Sequence, residues 1–398
     1  MRHDQEWLLG RGVDEIDTPA LVIDLDAMER NLECMAVFAR QHGVRLRPHA
    51  KMHKSAALAN MQIAAGAVGV CAQKTAEAEC LAAGGVNNIF ISNEVIAPAK
   101  LQRVAALARQ LAARGGRLAI AVDSEIGIAR LAAACAGNEA IIDVFVEIDV
   151  GQRRCGVAPG APALALVRKL AMHPSLRFAG LQAYHGSAQH FRTAAERRAA
   201  ISRVTREVAD TVALIEGAGF AAGLVTGAGT GTFALEAASG IYGELQAGSY
   251  LFMDADYARN EPDPAQPRFE HALFVKTQVM SVSDTHVVCD AGHKSHAVDS
   301  GMPLVWNFGA PQGQAHGQGQ GQGKGQGLEV TGCSDESGVI RTMADGGALP
   351  ALGDILWLVP GHCDPTVNLH DVMIGVRGGL HDGVVERIFR VDARGALA

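Results

Sequence analysis

The chain has 398 residues, 48% of them hydrophobic and 19% charged, which excludes bulk disorder and allows two to three ordinary domains or one barrel with an appendage. Its 35 Lys+Arg and 42 Asp+Glu give a formal net charge of −7 with no cluster of five or more basic residues, so nucleic acid and anionic membrane are not expected as principal partners. Apolar stretches stop short of the roughly 18 residues of a membrane span, MRHDQEW has no signal-type apolar region, and the eight cysteines never form CxxC. A cytoplasmic protein with reduced thiols is the expectation.

Eight β-rich runs recur between residues 18 and 231: TPALVIDL (18–25), VRLRPH (44–49), AVGVCAQ (67–73), NIFISN (88–93), RLAIAV (117–122), IDVFVEIDVG (142–151), RFAGLQAYHG (177–186) and GLVTGAGTG (223–231). Ala/Leu/Arg-rich segments with helical spacing of apolar residues separate them, as in KLQRVAALARQLAAR. Strand–helix alternation repeated eight times predicts the α/β class, with a (β/α)8 TIM-type barrel over 18–264. Past residue 265 the runs FVKTQVMSV, HVVCDAG, ILWLVPG, VMIGVRGG and VVERIFRVDARG are separated by turns, predicting a mostly β C-terminal domain over 265–398. Residues 1–17 form an extension expected to pack on that domain. The Gly/Gln-rich stretch 312–327 reads as a flexible surface insertion.

In such a barrel the reactive groups gather where the strands stop. Lys51, in RPHAKMHK, follows the second run; walled by apolar residues it would lose its proton more easily and act as a nucleophilic amine, although a solvated turn lysine looks the same and Lys54 stands close by. GAGTGT at 227–232 offers glycine backbone and hydroxyls to an anion, with an ordinary tight turn as the alternative, and Gly248-Ser249-Tyr250 could add donors. His185 and His190 follow the seventh run, where either a general base or a satisfied histidine fits. His362-Cys363-Asp364 places an imidazole and a carboxylate two residues apart, on one side of an extended segment, where they could share a metal ion or simply form a turn.

Taken in order, DTPALVIDLDAMERN, RLRPHAKMHK, GVCAQKTAEAE, ISNEVIAPAK, VEIDVGQRRCGV, GLQAYHGSAQH, GAGTGT, ELQAGSYLFMDADY and PGHCDPTVNLHD resemble the type III, alanine-racemase-like pyridoxal-phosphate enzymes. The similarity is to the branch containing D-threonine aldolases, 3-hydroxyaspartate aldolases and D-serine dehydratases, and spans about Asp17 to Arg394. The resemblance implies Lys51 as the Schiff-base lysine, Arg154 facing the pyridine nitrogen, and Gln73 and Tyr184 bordering the ring. It implies Thr230, Gly231, Thr232, Gly248, Ser249 and Tyr250 as the phosphate site, His362 and Asp364 as metal ligands, and His190 as the base.

His-x-Asp looks like the aldolases and His-x-Cys like the dehydratases, so the expected reaction is retro-aldol cleavage of a D-3-hydroxy-amino acid to glycine plus glyoxylate or acetaldehyde. The expected cofactors are pyridoxal 5'-phosphate and a divalent metal, Mn²⁺, Mg²⁺ or Co²⁺ before Zn²⁺, in a homodimer. The alternatives are a metal-dependent D-serine or D-3-hydroxyaspartate dehydratase and, more remotely, a non-catalytic pyridoxal-phosphate carrier. Two departures stand out: Ala228 replaces a glycine of the family's glycine run, and Ser337 stands where relatives usually carry histidine.

Overall fold

The computed structural model describes residues 5–306, 327–343 and 348–398. The chain divides into two compact units, one of Leu32–Tyr250, Asn260–Arg268 and Gly395–Ala398, the other of Met1–Asn31, Leu251–Arg259 and Phe269–Arg394. In chain order the strands are β1 (Ala20–Asp24), β2 (Arg45–Leu46), β3 (Val70–Ala72), β4 (Asn88–Glu94), β5 (Arg117–Val122), β6 (Ile142–Glu147), β7 (Leu176–Ala183), β8 (Leu224–Gly227) and β9 (Glu244–Leu245). They continue with β10 (Leu273–Val282), β11 (Val287–Cys289), β12 (Leu304–Val305), β13 (Leu328–Cys333), β14 (Gly338–Thr342), β15 (Ile355–Val359), β16 (Val372–Arg377) and β17 (Val384–Arg390).

The first unit is an all-parallel sheet in the order β2-β9-β8-β7-β6-β5-β4-β3. A parallel bridge between His49 and Cys71, with the Cys71 N–H donating to Pro48 O at 2.8 Å, joins the two ends and closes the barrel. Side chains alternate as a closed sheet requires: Leu118, Ile120 and Val122 of β5 pack in the large cluster shared with the helices, whereas Ala119 and Ala121 join Cys71, Phe90 and Phe145 inside. The small β5 residues leave room for the Phe90 and Phe145 rings, whose centroids lie 4.7 Å apart. The covering helices follow their apolar spacing, as in Pro98–Ala112, which starts on a proline and buries Leu101, Val104, Ala105, Ala108 and Leu111.

The barrel has its eight strands, but not the eight that the sequence suggests. β1, expected as the first barrel strand, lies in the other unit, antiparallel to β10 (Leu21 opposite Val275) and parallel to β16 (Ile23 opposite Gly375). A short run of apolar residues fits a buried place in either sheet, and periodicity does not name its neighbours. Its place in the barrel is taken by β9, whose Glu244 is fully buried and accepts from Arg47 Nε (2.9 Å) and Thr226 Oγ1 (3.1 Å).

The second unit is a mostly antiparallel sheet ordered β13-β14-β11-β10-β1-β16-β17, with β15 pairing β10 and β12. Leu8, Val13 and Ile16 of the N-terminal segment share its core with Val22, Phe274, Trp357, Val359 and Ile374. Lys276 of β10 is buried there, and its ammonium donates to the carbonyls of Val13 (2.9 Å), Asp14 (3.3 Å) and Ile16 (2.5 Å). Of the Gly/Gln-rich stretch 312–327, all but Gly327 lies outside the described residues. Among the described residues no helix is long and apolar enough to cross a membrane.

Candidate active site

Beyond β2 the chain turns through a single 3-10 helix, Ala50–Met52, which carries Lys51 half-buried. His49 Nδ1 faces the Lys51 N–H at 3.3 Å, and its other ring nitrogen, Nε2, faces the neighbouring strand ends. That nitrogen lies 2.8 Å from the side-chain amide of Gln73, just past β3, and 3.1 Å from the Ser92 hydroxyl of β4. Lys51, Gln73 and the ends of β2, β3 and β4 are thereby brought together. Lys54 is distinguished from Lys51 by its surroundings. It is buried, and its ammonium is paired with Glu77, whose other oxygen accepts the N–H groups of Gln73 (2.9 Å) and Lys74 (3.1 Å). A lysine committed to a buried ion pair is a poor nucleophile, which leaves Lys51 as the candidate amine.

Arg154 and Tyr184 also meet, the guanidinium carbon lying 5.9 Å from the ring centroid. Arg154 Nη2 is 3.9 Å from Glu147 at the end of β6. Burial and the nearby Glu94 hold the Glu147 carboxyl above the usual carboxylate range. Glu94, Asp123 and Cys155 present ligand atoms within 4.8 Å of one another, and burial together with Glu94 pushes the Cys155 thiol up to about 12. Sequence reasoning missed Glu94 and Glu147, which close the observed β4 and β6 but fall just past one predicted run and inside the other.

The stretch after β8 enters the left-handed region at Ala228, with φ of 70°, a conformation that suits the glycine of the family pattern better than alanine. Thr230 Oγ1 is buried with no hydrogen-bond partner among the described residues. The Thr232 hydroxyl donates to Glu236 at 2.8 Å. Gly248 abuts the end of β2, for a Cβ there would come within 2.7 Å of His49 O. Ser249 is buried beside it, and Tyr250 is wholly buried with its hydroxyl accepting from Gln62 Nε2 at 3.1 Å. An orphaned buried hydroxyl among close-packed glycines fits a phosphate, so the residues present are compatible with the cofactor.

His185 is buried, which lowers its pKa, and its ring meets Phe191 edge-on at 6.0 Å. His190 ends the 3-10 turn Ser187–His190 and is exposed.

In the second unit His362 caps the short helix Cys363–Val367, so the pair expected on an extended segment sits at a strand-to-helix turn. The two side chains still face each other, His362 Nε2 lying 3.8 Å from Asp364 Oδ1. Donors to one ion with bonds of about 2.1 Å stand up to about 4 Å apart, so this separation fits a shared metal. The other imidazole nitrogen, Nδ1, is 2.7 Å from Asp299 Oδ2, the outer contact that orients a ligating histidine. Buried Asp254 accepts the N–H groups of Tyr257 (3.0 Å) and Cys363 (3.3 Å). Asp254 and Asp299 come from distant turns, and no local pattern marks them. Ser337 lies in the tight turn between β13 and β14, where its carbonyl accepts the Ser334 N–H at 2.8 Å.

Residues 23–256 match the family described as alanine racemase, N-terminal domain, and residues 272–376 match the putative serine dehydratase domain. The chain is 45% identical to a D-threonine aldolase of Arthrobacter sp., with 97% of this chain and 95% of that protein covered. It is 40% identical to a 3-hydroxy-D-aspartate aldolase of Paracoccus denitrificans (strain Pd 1222), with 99% and 96% covered. The crystal structure of a D-threonine aldolase from Filomicrobium marinum superposes with a TM-score of 0.89 at 46% identity, covering 98% of this chain and 99% of that one. The chain belongs to the alanine racemase N-terminal domain family, as a fold type III pyridoxal-phosphate enzyme with a serine-dehydratase-type second domain.

Proposed function

We propose that the protein is a pyridoxal-phosphate- and divalent-metal-dependent aldolase that cleaves D-3-hydroxy-amino acids, 3-hydroxy-D-aspartate or D-threonine, to glycine plus glyoxylate or acetaldehyde. The observation that carries the reading is the His362–Asp364 pair, 3.8 Å apart, in a chain similar over nearly its full length to named aldolases. When bound, the cofactor supplies an electron sink for the pair left on Cα, and the metal supplies Lewis acidity at the β-hydroxyl.

Lys51 anchors the cofactor through its amine and Gln73 is held against the same strand ends. Arg154, beside Glu147 and Tyr184, would face the ring nitrogen and keep a proton off it, while Tyr184 would border the ring. The Thr230 hydroxyl meets the phosphate, in a turn completed by Gly231 and Thr232 and set beside the backbone of Gly248, Ser249 and Tyr250. His190, exposed at its turn, takes the proton from the substrate hydroxyl. His362 and Asp364 hold the metal; a nitrogen and a carboxylate with open water positions suit Mn²⁺, Mg²⁺ or Co²⁺ as well as Zn²⁺, whereas a thiolate in place of Asp364 would favour Zn²⁺ more strongly. A homodimer belongs to the same reading, checked by light scattering.

The test is product analysis of protein loaded with pyridoxal phosphate and Mn²⁺, given D-threonine, D-3-hydroxyaspartate and D-serine separately, with a chelated control. Glycine plus aldehyde, lost on chelation, is expected. Ammonia plus a keto acid would replace the aldolase with a dehydratase.

A further inference from the structure

Gln189 has no part in the steps above, yet it is fully buried in the turn after β7 and bonded at both ends of its amide. Oε1 accepts the Gly231 N–H at 2.9 Å, and Nε2 donates to Thr232 Oγ1 at 2.8 Å and to the His185 carbonyl at 3.2 Å. The amide cannot be turned over. The Gly231 N–H can only donate, so the oxygen must face it, and the Thr232 hydroxyl spends its proton on Glu236, so its oxygen must accept. The backbone of Gln189 is fixed as well, its carbonyl accepting from Asn260 Nδ2 at 2.8 Å.

The glycines of the neighbouring stretch are shaped around this side chain. A Cβ on Gly229 would come within 2.5 Å of Gln189 Oε1, and one on Gly231 within 2.7 Å of Gln189 O. The small residues at 229 and 231 therefore admit Gln189, a reason separate from close approach of an anion. Because Gln189 occupies the Gly231 N–H and the Thr232 oxygen, Thr230 Oγ1 is the buried hydroxyl in this turn left with no hydrogen bond among the described residues.

We propose that Gln189 is the positioning residue of the cofactor-phosphate site, locking the 229–232 turn in the form that presents the Thr230 hydroxyl. The inference rests on the reading of that turn as the phosphate site. The same anchor fixes the residue immediately before His190, so the turn that holds the phosphate and the start of the base's segment share one support.

The test compares two probes on the cofactor-stripped full chain by fluorescence titration: pyridoxal 5'-phosphate, and pyridoxal, which keeps the ring and aldehyde but lacks the phosphate. Gln189→Ala is expected to weaken pyridoxal phosphate roughly 10- to 100-fold while leaving pyridoxal within about threefold. Gln189→Glu keeps the volume but places a carboxylate that cannot donate to Thr232, so at pH 8 it should bind pyridoxal phosphate more weakly than the alanine variant. It also decides the matter if the alanine variant fails to fold.

Equal loss of both probes, or no loss of either, would overturn the proposal in favour of a purely structural glutamine. A wild-type protein with no preference for the phosphorylated probe would instead sink the phosphate-site reading. No substrate is present, so neither result depends on which reaction is catalysed.

Discussion

The two units present their polar groups in different ways. In the barrel unit each candidate sits where a parallel strand stops: Lys51 after β2, Gln73 after β3, Arg154 after β6, Tyr184 after β7, Thr230 after β8 and Gly248 after β9. In the β-rich unit the candidate metal pair occupies one turn, and its supporting carboxylates, Asp254 and Asp299, come from turns far away in sequence. A repeated architecture distributes its chemistry by rule, whereas an antiparallel sheet with irregular turns assembles its chemistry once.

If this division is right, cofactor binding and metal binding separate by mutation. Lys51→Ala should abolish the visible absorbance of bound cofactor and lower turnover by roughly 1,000-fold or more, measured by spectrum and product formation. Asp364→Ala should leave that absorbance intact and lower turnover by roughly 100-fold or more, with metal content lost in elemental analysis. Full turnover of metal-free Asp364→Ala would break the comparison, because the β-rich unit would then contribute no metal chemistry.

Smaller effects belong to the barrel alone. Burial raises Glu236 from 4.5 to about 7, so between those values the folded chain holds a proton that the unfolded chain has lost. The stability this confers is full below about pH 4.5, falls as pH rises, and is gone above about 7. Glu236→Gln should flatten that slope and gain at most about 3 kcal/mol at pH 8, seen in denaturant unfolding. Ala228→Gly should relieve the left-handed alanine and raise stability by about 1 kcal/mol, seen as a higher midpoint of thermal unfolding.

The class of fold was legible because strand–helix alternation survives in the apolar pattern, and the strand ends could then be read for chemistry. What was not legible depended on partners. β1 carries the pattern of any buried strand, and β9, two residues long and led by a buried glutamate, carries almost none. Glu94 lies just past one predicted run and Glu147 inside another, so neither stands out until their mutual proximity appears, and Gln189 gives no sign in GSAQH of the two-ended bond that it makes. Lys51 and Lys54 are equivalent in sequence; Glu77, 23 residues beyond Lys54, separates them in space.

The pairing of β1 has a consequence for how the chain is made. Its partners begin at Leu273 and Val372, so on the ribosome ALVID emerges early and waits for at least 249 residues of later sequence. At 5–20 residues per second that is roughly 12–50 s during which an apolar strand has no sheet to join. Nascent chains stalled before residue 273 should therefore engage holding chaperones through their first 25 residues, while the barrel segments that follow can begin to pair among themselves.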